Sequence, residues 1–258
     1  MPAFMQFLIA QFHLPKFGNE KNEYEDAFAP KLSGRYERNS LSLAIADGAS
    51  ESSFAAEWAK MLTRAYAKEP FFNISHLQSQ METLAGRWKS VALRRPLPWF
   101  AEEKVRMGAF STLLGIHLSE DSTDETQTGK WSVIAVGDSC LFQVRGDVLI
   151  ESFPISKSLD FRTSPTLLSS NDSKNKSVWD KVAFKADRWQ AGDMFFLITD
   201  ALAFWFLSQH EHNERPWEIL AGFVEDNNPI ESFTTWVNNA RASSMLKNDD
   251  VTLMFVKL

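Results

Sequence analysis

The chain reads Gly192-Asp193-Met194-Phe195-Phe196-Leu197-Ile198-Thr199-Asp200, which places a turn, an apolar run and an acidic residue in direct succession. The Gly-Asp pair is a turn signal, and the run Met194–Thr199 has the length and side chains of a buried strand. Asp200 therefore lies at the end of a strand, where a rigid sheet can direct a side chain into a cleft. A helix, Ala201–Leu207, is predicted to follow it.

Strand-like runs dominate the rest of the chain, and they fall at Met5–His13, Leu41–Ala46, Phe110–Leu118, Trp131–Val136, Leu141–Arg145, Val148–Phe153, Val182–Ala186 and Val251–Val256. Apolar residues at helical spacing predict helices at Phe54–Lys68, Ile74–Leu93 and Ile230–Ala242. Strands come first, then two long helices, then hairpin-connected strands, further helices and a last strand. This order favours a layered α+β domain over alternating βαβ units, and a single domain over residues 1–258.

The composition narrows the possible partners. The 258 residues are 44% hydrophobic and carry a net charge of −6, which offers no electrostatic footprint for nucleic acid or for an anionic membrane surface. No stretch approaches the roughly 20 apolar residues that span a bilayer. Cys140 is the single cysteine, so an internal disulfide is excluded. We expect a cytoplasmic monomer.

Acidic residues recur at the edges of the predicted strands. Glu25 and Asp26 precede Ala27, Asp47 follows a strand in the same way as Asp200, and Asp249 precedes Val251. Taken singly, such a residue is more often a turn or a helix cap. Together, carboxylates from distant parts of the chain can supply the oxygen ligands that hard divalent cations such as Mg²⁺ and Mn²⁺ require.

The residues around these positions form short motifs in a fixed order, and they are Lys21-x-x-Tyr-Glu-Asp-Ala-Phe28, Ala44-Ile-Ala-Asp-Gly48, Gly108-Ala-Phe-Ser-Thr112, Val136-Gly-Asp-Ser139, Gly192–Leu202 and Asp249-Asp-Val-Thr-Leu253. In this order they resemble the motifs of the metal-dependent protein phosphatase family, the type-2C serine/threonine phosphatases. The resemblance extends over residues 21 to 256, nearly the whole chain. Val136–Ser139 matches the family's Gly-Asp-Ser-Arg hairpin.

The resemblance implies a four-layer α-β-β-α sandwich of two antiparallel sheets, with two Mg²⁺ or Mn²⁺ ions in a cleft at one edge of the sheets. A variable flap is expected at about residues 154–179, beside the cleft. The implied metal-site and phosphate-binding residues are Asp47 as the bridge between the ions, Glu25 and the Gly48 carbonyl on one ion, Asp200 and Asp249 on the other, Asp26 and Asp138 in support, and Lys21 as a phosphate contact.

The function that the resemblance implies is a phosphatase that hydrolyses phosphoserine or phosphothreonine in proteins with a water activated by two metals. A phosphoprotein is then the substrate, and a cognate kinase is a further candidate partner. One alternative stays open: a catalytically weak or inactive module that binds phosphoproteins or a kinase. The alternative is motivated by Ala49–Glu51, which replaces the His-Gly-Gly or Met-Gly-Gly of the family after Gly48.

Other chemistries receive less support. Gly137–Leu141 also resembles the Gly-Asp-Ser-Leu motif of a class of esterases with Ser139 as nucleophile, but no Asp lies three residues before the last histidine, His212. His210 and His212 have no helical zinc-motif spacing and are expected in a solvated loop. Cys140 is expected to be a small core residue.

Overall fold

Two antiparallel sheets, packed face to face, form the centre of the protein. The computed structural model describes residues 5–50, 52, 54–94, 99–121, 128–162 and 164–258. Its strands are β1 (Met5–Leu14), β2 (Ala27–Ala29), β3 (Gly34–Arg38), β4 (Ser40–Ala46), β5 (Phe110–Ser111), β6 (Leu113–Glu120), β7 (Thr128–Val136), β8 (Cys140–Arg145), β9 (Val148–Phe153), β10 (Leu168–Ser169), β11 (Ala183–Gln190), β12 (Met194–Ile198) and β13 (Val251–Lys257). The six-stranded sheet has the order β3-β1-β13-β12-β8-β9, and the five-stranded sheet has the order β11-β7-β6-β4-β2.

Helices cover the outer face of each sheet. Their bounds are α1 (Ala55–Lys68), α2 (Ile74–Ala92), α3 (Trp99–Met107), α4 (Asp200–Glu211), α5 (Pro216–Glu225) and α6 (Pro229–Ala242). Among the described residues, no helix is both long and apolar enough to cross a membrane.

The side chains of β12 show how the layers form, because consecutive residues of a strand point to opposite faces of its sheet. Phe195 and Leu197 belong to the apolar cluster between the two sheets. Phe196 and Ile198 belong to the cluster that packs the six-stranded sheet against α4, α5 and α6. A third cluster, which includes Trp58 of α1, packs the five-stranded sheet against α1 and α2. The prediction of an α-β-β-α sandwich is therefore confirmed.

Two sequence predictions about strands are wrong in detail. Residues 137–139 do not form a hairpin, because β7 belongs to the five-stranded sheet and β8 to the six-stranded sheet, so this turn passes from one sheet to the other. The predicted strand Phe110–Leu118 is interrupted at Thr112, whose backbone N–H donates to the Asp47 carbonyl at 2.9 Å instead of continuing one ladder. Both departures occur at the acidic residues, because the turn at 137–139 contains Asp138 and the Thr112 backbone contacts Asp47.

The segment predicted as a flap, 154–179, runs beside β5 as far as it is described. Its two-residue strand β10 pairs with β5, and Ser111 of β5 in turn bridges to Gly48. Trp58 on α1 donates its indole N–H to the Leu168 carbonyl at 2.9 Å, which ties β10 to the helical layer. The segment is thereby attached next to the residue that follows Asp47.

Candidate metal centre

Carboxylates from separate parts of the chain converge where strands of both sheets end. Asp47 follows β4, Asp138 lies between β7 and β8, Asp200 is the first residue of α4 after β12, and Asp249 lies shortly before β13. Burial raises the pKa of Asp47 well above its ordinary value, and the negative charges of the neighbouring carboxylates, Asp26, Asp200, Asp138 and Asp249, raise it further. Three of the predicted ligands therefore share one electrostatic site.

Asp26 forms the floor of this acidic cluster. Its side chain is 1% exposed, and its Oδ2 accepts hydrogen bonds from the hydroxyls of Thr199, at 3.0 Å, and Thr252, at 2.6 Å. Its Oδ1 is buried and has no hydrogen-bond partner among the described residues. Burial, together with the charges of Asp250 and Asp200, raises the pKa of Asp26. A buried carboxylate oxygen without a partner is costly unless a proton or a cation compensates it.

Asp138 presents a second oxygen of this kind. Its Oδ1 is also buried, without a partner in the part of the chain that the structure describes, and burial together with the charge of Asp200 raises its pKa to about 7. The turn requires a glycine before it: Gly137 has a φ of +103°, and a Cβ there would lie 2.6 Å from Cγ2 of Thr112. Asp138 is thus held in place by local backbone geometry.

The backbone of Asp47 is fixed by a chain of hydroxyl contacts. The Asp47 N–H donates to Oγ1 of Thr112 at 2.8 Å, and Thr112 Oγ1 contacts Ser139 Oγ at 3.1 Å. On the other side, Oγ of Ser111 donates to the Asp47 carbonyl at 2.8 Å. These bonds leave the carboxylate of Asp47 free to face the cluster.

Lys247 supplies positive charge at the rim of the cluster. Its Nζ lies 2.6 Å from Oδ2 of Asp249 and 3.5 Å from Oδ2 of Asp200, although its side chain is 63% exposed. Partial burial disfavours the charged ammonium, but the hydrogen bond to Asp249 and the charge of Asp200 outweigh it and raise the pKa of Lys247. Burial raises the pKa of Asp200, and the Lys247 charge opposes that rise. An ammonium group therefore lies between the two carboxylates predicted to share one metal ion.

Glu25 is turned towards other partners. Its Oε2 accepts a hydrogen bond from the Ser50 hydroxyl and lies 3.8 Å from the Lys16 ammonium. Its backbone N–H donates to Asp250 Oδ2 at 2.7 Å. Gly48 is nonetheless close, since a Cβ on it would lie 2.7 Å from the Glu25 carbonyl oxygen. The backbone of Glu25 lies beside Gly48, while its side chain is bound to Ser50 and Lys16.

The donor set suits a hard divalent cation, but the side chains are not in ligating positions. Among the residues that the structure describes, no three His, Cys, Asp or Glu side chains are grouped tightly enough to hold an ion. Lys247 and Lys16 each form an ion pair with a predicted ligand, Asp249 and Glu25 respectively. The two unpartnered oxygens and the mutual repulsion of the carboxylates are what a cation would compensate. The residues therefore fit Mg²⁺ or Mn²⁺ by chemistry, after rearrangement of two lysine side chains.

The structure also locates the residues of the other chemistries considered, namely the esterase serine, the two histidines and the cysteine. Ser139 is 1% exposed and contacts Thr112, so it is unsuited to attack a substrate. His212 Nδ1 lies 2.7 Å from the Ser208 carbonyl oxygen, and the His210 ring packs on Trp217 with centroids 5.7 Å apart, so neither side chain points to a shared ion. Cys140 is fully buried, as expected, and burial raises the pKa of its thiol.

Sequence reasoning missed the residues that support and neutralise the cluster, namely Lys16, Ser50, Thr112, Thr199, Lys247, Asp250 and Thr252. Thr199 and Thr252 stand one residue before Asp200 and three after Asp249, so they lie inside the quoted motifs but have no acidic group to mark them. Lys247 precedes Asp249 by two residues, so a positive charge this close to a predicted ligand was the signal that could have identified it. Lys21 lies in a neighbouring cavity. Glu51 lies outside the described residues.

Comparison with known proteins adds to this geometry. No protein-family profile and no curated protein matches the chain. Among solved structures, the chain is similar to the catalytic domain of the serine/threonine protein phosphatase PstP in complex with two manganese ions, with a TM-score of 0.59, 15% identity and 98% coverage of both chains. It is also similar to PstP of Mycobacterium tuberculosis (TM-score 0.58, 15% identity, 98% of this chain and 99% of that one) and to a bacterial serine phosphatase (TM-score 0.54, 14% identity, 96% of both). The chain therefore has the fold of these serine/threonine phosphatases, as its motifs indicated.

Proposed function

We propose that the protein is a metal-dependent phosphatase that hydrolyses phosphoserine or phosphothreonine in proteins. The observation that carries the proposal is the convergence of Asp47, Asp138, Asp200 and Asp249 on one site, where burial and the charges of Asp200, Asp138 and Asp249 raise the pKa of Asp47. Carboxylates that are crowded into one buried site repel one another. This repulsion destabilises the fold unless a cation offsets it. The phosphatase fold of the chain is consistent with this use of the site.

Each acidic residue has a proposed role. Asp47 would hold both ions, Asp200 and Asp249 would hold one of them, and the Gly48 carbonyl with Glu25 would hold the other. Asp26 and Asp138 would support these residues. Bound Mg²⁺ or Mn²⁺ would supply the Lewis-acid polarisation of a phosphoryl group and the activation of a water at neutral pH.

The chain's own residues organise the site around that chemistry. Thr112 and Ser111 hold the backbone of Asp47, and Thr199 and Thr252 hold Oδ2 of Asp26. Lys247, whose side chain is 63% exposed, would turn from Asp200 and Asp249 to solvent when cations bind. Lys16 would do the same at Glu25. The two lysines are then placed at the rim, where they attract a phosphate dianion to a site rich in carboxylates.

Hydrolysis of p-nitrophenyl phosphate by the pure protein with Mn²⁺, and its loss in Asp200→Asn, tests the proposal. Asp187→Asn is the matched control, because Asp187 is an exposed residue of β11 and the change removes the same charge. We expect activity that a chelator abolishes, that Asp187→Asn retains and that Asp200→Asn lowers by at least about a hundredfold. Absence of metal-dependent turnover on aryl phosphates and on phosphopeptides would overturn the enzymatic function.

The alternative, a phosphoprotein-binding module without turnover, is favoured by one observation. The Glu25 carboxylate is bound to Ser50 and Lys16, and Ser50 belongs to the stretch that replaces the family's residues after Gly48. Calorimetric titration with Mn²⁺ and with a phosphopeptide, together with the assay of turnover, separates the two functions. Mn²⁺ binding with turnover supports the enzyme, whereas phosphopeptide binding without turnover supports the module.

A further inference from the structure

A cavity of about 460 Å³ adjoins the acidic cluster, and the charges that line it are mostly positive. It lies between α1 and the segment that leads into and out of β2. Its lining includes Lys60 and Arg64 from α1, and Lys21, Lys31 and His13 from other parts of the chain. Four permanent cations line this cavity in a protein whose net charge is −6. Asp26 is a lining residue too, so the cavity and the acidic cluster share a wall.

The cations of this basic cavity are largely uncompensated. Within the described part of the chain, no carboxylate lies within ion-pair distance of Lys21, Lys31 or Arg64. Lys60 contacts Glu57 at 2.9 Å. The Lys31 ammonium lies 5.7 Å from the centroid of the Phe28 ring. Like charges gathered around one cavity repel, and an anion placed among them removes that repulsion.

Asp26 forms no ion pair with these cations within the described part of the chain. Its Oδ2 is engaged by Thr199 and Thr252 on the side of the acidic cluster. The aromatic rings on the cavity wall are also packed on one another, with the His13 centroid 5.2 Å from Tyr24 and 5.2 Å from Phe28. The cavity therefore combines an aromatic wall with cations that are mostly exposed.

We propose that the basic cavity is a binding site for a phosphate group, separate from the acidic cluster. Lysine ammonium groups bind phosphate as point charges, and the guanidinium of Arg64 can bind two phosphate oxygens at once. The volume lies in the range of small-molecule sites and exceeds that of a bare phosphate, so an attached carrier is accommodated. The phosphate has two possible sources, a phosphorylated side chain of a protein and free inorganic phosphate.

His13 provides a local reporter of occupancy. Partial burial lowers the pKa of His13, and the charges of Lys31 and Lys21 lower it further. A bound phosphate would offset those two charges and raise the pKa of His13, while Tyr24 and Phe28, which pack on the ring, carry no charge at neutral pH. An NMR titration of the His13 ring therefore reports binding in this cavity rather than elsewhere.

The test is calorimetric titration in the presence of a chelator, so that binding through metal ions does not contribute. The probes are inorganic phosphate, a phosphoserine peptide and the same peptide without phosphate. Two variants are compared: Lys31→Gln with Arg64→Gln, which removes two lining charges, and Lys68→Gln, which removes one exposed charge at the end of the same helix, away from the cavity. We expect the double variant to weaken phosphate binding by at least about tenfold, since charge-assisted contacts of this kind are each worth about that factor.

Binding of the phosphopeptide but not its unphosphorylated form supports the site with a protein-borne phosphate. Binding of inorganic phosphate alone supports it with free phosphate as the source. In both cases Lys68→Gln retains binding, and Asp200→Asn retains it as well, even where that variant has lost metal binding and turnover. The proposal is overturned if no phosphate probe binds, if Lys68→Gln weakens binding as much as the double variant does, or if the pKa of His13 is unchanged at saturation. None of these results depends on the protein being a phosphatase.

Discussion

Replacing Asp138 by Asn should stabilise the metal-free protein, and the gain should grow as the pH rises. Burial and the charge of Asp200 raise the pKa of Asp138 from 3.8 to about 7. Between these pH values the folded protein holds a proton that the unfolded chain releases, so the stability of the folded state falls as pH rises through this range. The difference in proton affinity corresponds to about 4 kcal/mol above pH 7, which is an upper limit for the gain. At about pH 4 the Asp138 carboxyl of the folded parent protein is neutral, as is the amide that replaces it, so the gain in stability is near zero.

Urea unfolding in a chelator at pH 5, 6, 7 and 8 measures this effect. The free energy of unfolding of the parent protein should fall across the series, and that of Asp138→Asn should fall less, because Asp26, Asp47 and Asp200 still titrate. Asp187→Asn, at an exposed site, is the control and should follow the parent. A loss of stability in Asp138→Asn that is equal at every pH would refute the reasoning, because it would mean that Asp138 acts by packing and hydrogen bonding alone.

Three further outcomes follow from individual contacts. Lys247→Met should tighten Mn²⁺ binding in calorimetry by up to about fivefold at low salt, because an exposed ion pair is worth at most about 1 kcal/mol; weaker binding would mean that Lys247 assists the ligands. Phe206→Ala should lower the free energy of unfolding by about 3–5 kcal/mol, since its ring stacks on Phe142 at 4.0 Å within the core. Gly48→Ala should destabilise the protein by about 1–3 kcal/mol in the same assay, because the new Cβ would lie 2.7 Å from the Glu25 carbonyl oxygen; an unchanged midpoint would show that the backbone at Glu25 can move away.

The sequence predicts the parts of the fold that repeat a local pattern. The alternation in β12 and the helical spacing in α1 and α2 each specify one face, and the structure places those faces in the expected layers. Two helices escaped prediction: α3, and α5, which begins at Pro216. A proline at the first position is compatible with a helix and equally typical of a turn, so sequence alone did not decide between them.

The convergence of three predicted acidic residues could be expected from the sequence, but the contacts of their side chains could not. Asp47, Asp200 and Asp249 are marked by their positions at strand ends, and the sheets bring them together. Side-chain partners are decided by contacts across the sequence, such as Lys16 with Glu25 or Thr252 with Asp26, which are separated by 9 and by 226 residues. No local pattern encodes such pairs, because they depend on which strands become neighbours.

The arrangement of charge around Asp26 connects the two sites. On one side, carboxylates crowd together and are compensated by Lys247 and Lys16 at the rim. On the other side, Lys21, Lys31 and Arg64 line a cavity without carboxylate partners among the described residues. A cation bound at the acidic cluster would offset the negative charge that the basic cavity now experiences through Asp26. The attraction between the carboxylates of the cluster and the cations of the cavity would then be weaker. The lysines and arginine would then hold an anion more tightly, so we expect phosphate affinity in the cavity to rise when Mn²⁺ occupies the acidic cluster, and by reciprocity Mn²⁺ affinity to rise with phosphate.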